Sequence, residues 1–136
     1  MKFLDCTLRD GSYVNNFKFT AEETYNIVKE LDNIGVEMIE VGHGIGLGVT
    51  CSNYTKAFVS DEEYMRMASK AINKSKWGMF CIPNIAQLSD IEKASKYNID
   101  FIRIGIEPTK FNEAIPYIKK AKDLGIMVCI NFMKSY

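Results

Sequence analysis

Apolar, strand-like runs alternate with helix-like patterns along the whole chain, and this alternation restricts the fold more than any other feature. The runs are 2–8 (KFLDCTL), 37–42 (EMIEVG), 77–82 (WGMFCI), 100–105 (DFIRIG) and 126–133 (IMVCINFM). After the first, residues 20–34 set Ile27, Val28, Leu31 and Ile34 along one face of an amphipathic helix. Thr20 and Glu23 form a capping box, and Gly35 is a natural stop. The same start signal recurs at Ser60/Glu63 and at Ser89/Glu92. A fourth helix, about 111–124, carries Phe111, Ala114, Ile115, Ile118 and Ala121 and ends at Gly125. A helix between every two strands rules out hairpins and requires parallel strands joined by right-handed crossovers. No linker or low-complexity segment interrupts the pattern, so residues 1–136 read as one α/β domain.

Two architectures accommodate five such strands: a flavodoxin-like open sheet, ordered 2-1-3-4-5, and the first part of a (β/α)8 barrel, ordered 1-2-3-4-5. Polar residues inside the strands favour the barrel. Asp5 and Thr7 lie in the first run, Glu40 in the second, Arg103 in the fourth and Asn131 in the fifth. An open sheet covered by helices on both faces needs strands that are apolar almost throughout. A barrel interior near its active end can hold a paired polar network instead. These five residues are therefore expected on the concave side. Arg103 should pair with a carboxylate there, since an isolated buried charge is costly.

Composition narrows the function classes. Apolar residues make up 47% and charged residues 25%, as in a folded globular protein, and 17 basic residues balance 17 acidic ones. That balance gives no electrostatic reason to bind nucleic acid or an acidic membrane surface. No apolar run approaches the roughly 20 residues of a membrane span. Asp5, Arg9 and Asp10 stand where a signal peptide would need an apolar stretch. The cysteines at 6, 51, 81 and 129 show no metal-ligand spacing, and three of them lie in strand-like runs. They read as reduced, and the expected location is cytoplasmic.

The first run ends in an unusual way, on Arg9-Asp10-Gly11 and then a Tyr-Val-Asn-Asn loop. The stretch LDCTLRDG closely resembles the first strand of the metal-dependent aldolase and lyase superfamily, which includes 4-hydroxy-2-oxovalerate aldolase, hydroxymethylglutaryl-CoA lyase and isopropylmalate synthase. The resemblance continues in order through IEVGHGIGLG (39–48) and SNY (52–54), FIRIGIEPT (101–109) and LGIMVCINFM (124–133). It implies a (β/α)8 barrel with the active site at the C-terminal strand ends. It further implies that Arg9 stabilises an enolate oxygen and that Asp10 binds a divalent metal, Mn²⁺ or Mg²⁺. The implied reaction is retro-aldol cleavage, or the matching condensation, of a small-molecule 2-oxo acid. Such a reaction builds negative charge on oxygen, which a fixed guanidinium disperses. With three arginines against 14 lysines, Arg9 is not generic surface charge.

The chain departs from that family at two points. Tyr13 occupies the position of a base-like histidine in the aldolase branch, and no His-x-His metal pair is present. The single histidine, His43, follows the second strand in a loop with glycines at 42, 44, 46 and 48, where a substrate-loop or catalytic role is one reading and loop packing the other. The catalytic candidates are thus Arg9, Tyr13 and His43, with Asp10 as the metal candidate; metal binding should be weak or absent. A complete barrel needs about 250 residues, so the chain reads as the N-terminal portion, five strands and four helices. It would be a truncated or split aldolase-like domain, or a catalytically silent half-barrel that assembles with itself or with the complement of the missing half. The run at 126–133 has no charge and no proline, the profile of an adhesive edge strand, so a homo-oligomer is expected.

Overall fold

The computed structural model describes residues 3–49 and 57–134. Strands β1 (Leu4–Asp5), β2 (Met38–Val41), β3 (Lys76–Cys81), β4 (Phe101–Ile106) and β5 (Met127–Phe132) alternate with helices α1 (Ala21–Asn33), α2 (Asp61–Ala71), α3 (Leu88–Ser95) and α4 (Ile115–Asp123). All strand pairs are parallel, in the order β1-β2-β3-β4-β5. That order excludes the flavodoxin-like alternative and makes the chain a five-stranded half-barrel with four helices. Cys51 and the segment 52–54 lie outside the described residues.

Register divides the sheet into two chemically different faces. Residues paired across parallel strands share a face, and the face alternates along each strand. Met79 pairs with Ile102, and Ile102 with Val128. This set packs against Val28, Met65, Ile91, Ala94 and Ala121 of the four helices and forms the core. The opposite set runs through Phe80, Arg103 and Cys129, with Glu40 opposite Gly78 and Asn131 opposite Gly105. Glu40, Arg103 and Asn131 therefore share the inner face, as expected.

Asp5 and Thr7 do not join them. Leu4 pairs with Met38 and Asp5 with Ile39, so Asp5 falls on the helix-facing side and Cys6 takes the inner position. The strand also stops early. The Thr7 N–H and hydroxyl both donate to the Asp5 carboxylate, at 2.9 and 3.0 Å, closing a local turn in place of the strand expected to run through Leu8.

The helix ends follow local chemistry. Thr20 and Glu23 make the reciprocal capping box at the start of α1, and Ser60 Oγ accepts the Glu63 N–H at the start of α2. Helix α3 starts at Leu88, not after Ser89: the Gln87 N–H donates to Asp90 Oδ2 at 2.8 Å, and Asp90 is the acid that closes the first turn. The fourth helix is split. A 3-10 segment, Pro108–Ala114, precedes α4 because Pro116 has no N–H and is tolerated only in a first helical turn. Phe111 and Ile115 are consequently exposed, while Ala114 and Ala121 are buried and Ile118 packs on the core. Ile34, expected on the buried face of α1, is the exposed residue that ends it.

Candidate active site at the strand-end rim

After β1 the Asp10 and Gly11 N–H groups both donate to the Cys6 carbonyl, at 2.8 and 3.2 Å. This folds Asp10–Tyr13 into a 3-10 turn and places Arg9 at its start, on the C-terminal side of the strand. Ser12 Oγ donates to the Arg9 carbonyl at 2.6 Å, fixing the backbone of the turn. Asn16 and Phe17 then adopt left-handed backbone angles, φ 55° and 60°. Asparagine tolerates that region, whereas a bulky residue is strained there. The strain is held by the Phe17 N–H donating to the Ser12 carbonyl and by its ring stacking on His43, centroids 4.0 Å apart.

Arg9 reaches inward. Its Nε donates to Glu40 Oε2 at 2.7 Å, Nη1 donates to Asp10 Oδ1 at 2.9 Å, and Nη1 lies 3.4 Å from the Gly44 carbonyl. Nη2 makes no hydrogen bond among the described residues. Arg103 approaches the same carboxylate from β4, with Nε to Oε1 at 2.8 Å and Nη2 to Oε2 at 2.7 Å, while its Nη1 donates to Asn131 Oδ1 at 3.2 Å. The Glu40 side chain has no exposed surface. Burial alone would raise its pKa, but the Arg103 hydrogen bonds and both guanidinium charges outweigh burial and hold it below the usual carboxylate range. Cys6 completes this layer, its Sγ 3.8 Å from Arg103 Nη2. Burial first, then the Glu40 charge, pushes its thiol up to about 11, so it is protonated near neutrality. Two guanidiniums thus share one buried carboxylate, and the exposed Asp10 carboxylate pairs with Arg9 from the rim.

The four candidates are distributed unevenly around this cluster. Arg9 and Asp10 are ion-paired, with Asp10 largely exposed on the rim. Tyr13 is 52% exposed and meets Phe17 edge-on. His43 is completely buried beneath Phe17. Its Nδ1 accepts the Ile45 N–H at 3.1 Å, which puts the proton of the neutral ring on Nε2. Tyr13, Phe17 and His43 connect to Arg9 through Gly44. A Cβ there would lie 2.6 Å from the Tyr13 ring and 2.7 Å from that of Phe17. Sequence reasoning missed Phe80, which underlies the site: the Arg9 and Arg103 guanidinium carbons lie 4.6 and 4.9 Å from its ring centroid. Its signal was Gly105, the one small residue of β4, which leaves room for that ring.

The HMGL-like family matches residues 1–126 of the sequence. The chain belongs to this family. An oxaloacetate decarboxylase of Mycobacterium tuberculosis is 35% identical over 98% of this chain and 39% of its own length. A 4-hydroxy-2-oxovalerate aldolase of Carboxydothermus hydrogenoformans is 37% identical over the same shares, and one of Moorella thermoacetica is 39% identical over 91% of this chain. The crystal structure of the N-terminal domain of a protein assigned as an aldolase from Bacteroides vulgatus superposes with a TM-score of 0.78 at 25% identity, covering 98% of this chain and 44% of that one. The chain spans about two fifths of the length of the curated relatives it matches.

The resemblance carried by the first strand implies a divalent cation at Asp10. Its Oδ1 already accepts from Arg9. Among the described residues no group of three or more His, Cys, Asp or Glu gathers in a way that could hold a metal. These residues do not by themselves fit a divalent site; Asp10 can contribute one carboxylate oxygen.

Proposed function

We propose that this chain carries the oxyanion-stabilising part of a carbon–carbon lyase site for a 2-oxo acid. One observation carries the reading: Arg9 is anchored through Nε to a buried carboxylate while its Nη2 has no hydrogen bond among the described residues. A guanidinium held in advance at the rim can donate to the C2 oxygen of a 2-oxo acid as the adjacent bond breaks and charge builds there, with no reorganisation at that moment. Solvent screens the exposed Asp10 carboxylate, so it offsets the two guanidiniums only in part and the site favours the same anionic intermediate. The names of two relatives, oxaloacetate decarboxylase and 4-hydroxy-2-oxovalerate aldolase, both contain a 2-oxo acid.

The remaining candidates take subordinate places. Tyr13, exposed beside the rim, offers a hydroxyl to the departing fragment. His43 supports the Gly44 loop from beneath and has no direct part in the chemistry. Asp10 steadies Nη1 of Arg9 and offers an oxygen to a divalent cation. Cys6, Cys81 and Cys129 are free thiols, which suits a reducing cytoplasm. No described helix is long and apolar enough to cross a membrane.

The test is exchange of pyruvate methyl protons for deuterium, followed by NMR, with and without Mn²⁺ or Mg²⁺. Exchange above buffer that disappears in Arg9→Met is expected; rates equal to buffer under every condition overturn the reading. A second reading, a silent half-barrel that assembles with a complementary half or with itself, draws on the sheet edges. Among the described residues β1 and β5 each pair with one strand only.

A further inference from the structure

We infer that Phe80 is a positioning residue of this site, acting through Arg9: its ring face, and not only its bulk, sets the plane of the guanidinium. This rests on the Arg9 reading above. Three observations converge on it. First, the hydrogen bonds of Arg9 hold its plane unequally. The Glu40 bond is short and its acceptor is buried, whereas Asp10 is 66% exposed in its side chain and the Gly44 carbonyl is at 3.4 Å. A water-exposed partner is a weak and screened restraint.

Second, Phe80 is placed by the removal of everything around it. At Gly105 of β4 a Cβ would sit 2.3 Å from the Phe80 ring, so no other residue leaves space for it. At Gly46, where φ is +113°, a Cβ would sit 2.5 Å from the Phe80 carbonyl oxygen. That oxygen accepts the Leu47 N–H at 2.9 Å. The strand below is cut back around the Phe80 ring, and the loop above around its backbone carbonyl.

Third, both guanidiniums lie on the ring. The Arg9 and Arg103 guanidinium carbons are each less than 5 Å from the Phe80 centroid, close enough for the negative face of the ring to attract both cations. An aliphatic residue at position 80 would fill the space but leave that plane unset.

The experiment replaces Phe80 by a phenylalanine fluorinated away from the para carbon, which nearly keeps the shape and weakens the negative face, beside Phe80→Leu. The first readout needs no ligand: the Arg9 side-chain N–H resonance, assigned by its loss in Arg9→Lys, shows whether the guanidinium has moved. The second is the affinity for oxalate, a planar stand-in for the enolate. The expected result is a displaced Arg9 resonance and roughly tenfold weaker oxalate binding in the fluorinated and leucine proteins. An unmoved resonance in the folded fluorinated protein overturns the role of Phe80, whatever oxalate does. Failure of the parent protein to bind oxalate, with the resonance still displaced by fluorination, overturns the lyase reading and leaves the positioning role standing. If Phe80→Leu does not fold, the fluorinated protein decides alone.

Discussion

Arg103 holds Glu40 with two donors, Nε to Oε1 at 2.8 Å and Nη2 to Oε2 at 2.7 Å, across the sheet from β4 to β2. The carboxylate they enclose has no contact with solvent. Removing one partner of such a pair leaves a buried charge with too little compensation. Arg103→Met is expected to lower stability by about 3 kcal/mol, the lower end for a broken buried pair because Arg9 still holds Oε2. Urea denaturation measures it. Adding Glu40→Met to the first change should recover part of the loss. An unchanged denaturation midpoint in Arg103→Met would show that water already screens the cluster.

Gly44 is where the loop after β2 passes under two aromatic rings. A methyl group there would overlap Tyr13 and Phe17 at 2.6 and 2.7 Å. Tyr13 is half exposed and can swing away; Phe17 is buried and stacked on His43 and cannot. Gly44→Ala should therefore cost about 1–3 kcal/mol, and Tyr13→Ala in the same chain should not restore it. Denaturation of both proteins decides, and full rescue by Tyr13→Ala would place the clash on Tyr13 alone.

Legibility in the sequence followed periodicity. Helix–strand alternation showed parallel strands but left two strand orders open, and polar residues inside the strands favoured the barrel order. Alternation within strands put Glu40, Arg103 and Asn131 on one face, because β2, β4 and β5 are long enough for a period of two to show. It failed at Asp5 and Thr7, where β1 has only two residues and the pairing Leu4 to Met38 assigns the faces. It also failed around Pro116, where an apolar pattern continued through a break that only backbone chemistry reveals. Phe80 was missed for another reason. An apolar residue in an apolar strand reads as core, and its position beneath two arginines depends on the β3–β4 register, which one sequence does not display.

Asp61 opens α2, and its Oδ2 accepts the Gly48 N–H at 2.8 Å, while Oδ1 is buried without a hydrogen-bond partner among the described residues. Burial pushes its pKa up to about 6, against the Gly48 hydrogen bond and with help from the Asp90 charge. An unfolded aspartate titrates near 3.9. Between about pH 4 and pH 6 the folded chain thus keeps a proton that the unfolded chain has lost, so this group makes stability fall as pH rises through that window and level off above it. Asp61→Asn keeps an acceptor for Gly48 and removes the titration. The stability of the parent relative to this variant should drop by about 2–3 kcal/mol from pH 4 to pH 7, two pKa units at 1.4 kcal/mol each. Other titrating groups are common to both proteins and cancel. A difference that stays flat with pH would mean that Asp61 ionises as an ordinary surface carboxylate.

Strand β5 pairs with β4 along its whole length, Phe101 to Met127 through Ile106 to Phe132, and with no other described strand. On the side away from β4 no described strand joins it, and its six residues, MVCINF, carry no charge and no proline. Natural edge strands are protected by such interruptions, and this one is not. Its surroundings add apolar surface: Met127 and Phe132 are 39% and 51% exposed, and Phe111, 37% exposed, lies beside Phe132 with centroids 6.1 Å apart. The sheet's other edge, β1, is too short to offer a comparable ladder, so association should run through β5. Sedimentation of the chain at micromolar concentration is expected to show species larger than 15.5 kDa. Met127→Lys with Phe132→Lys should shift the distribution toward the monomer, since charges on an edge oppose strand addition. A parent chain that stays monomeric across the concentration range and resists denaturant would show that the half-barrel shields this edge by itself.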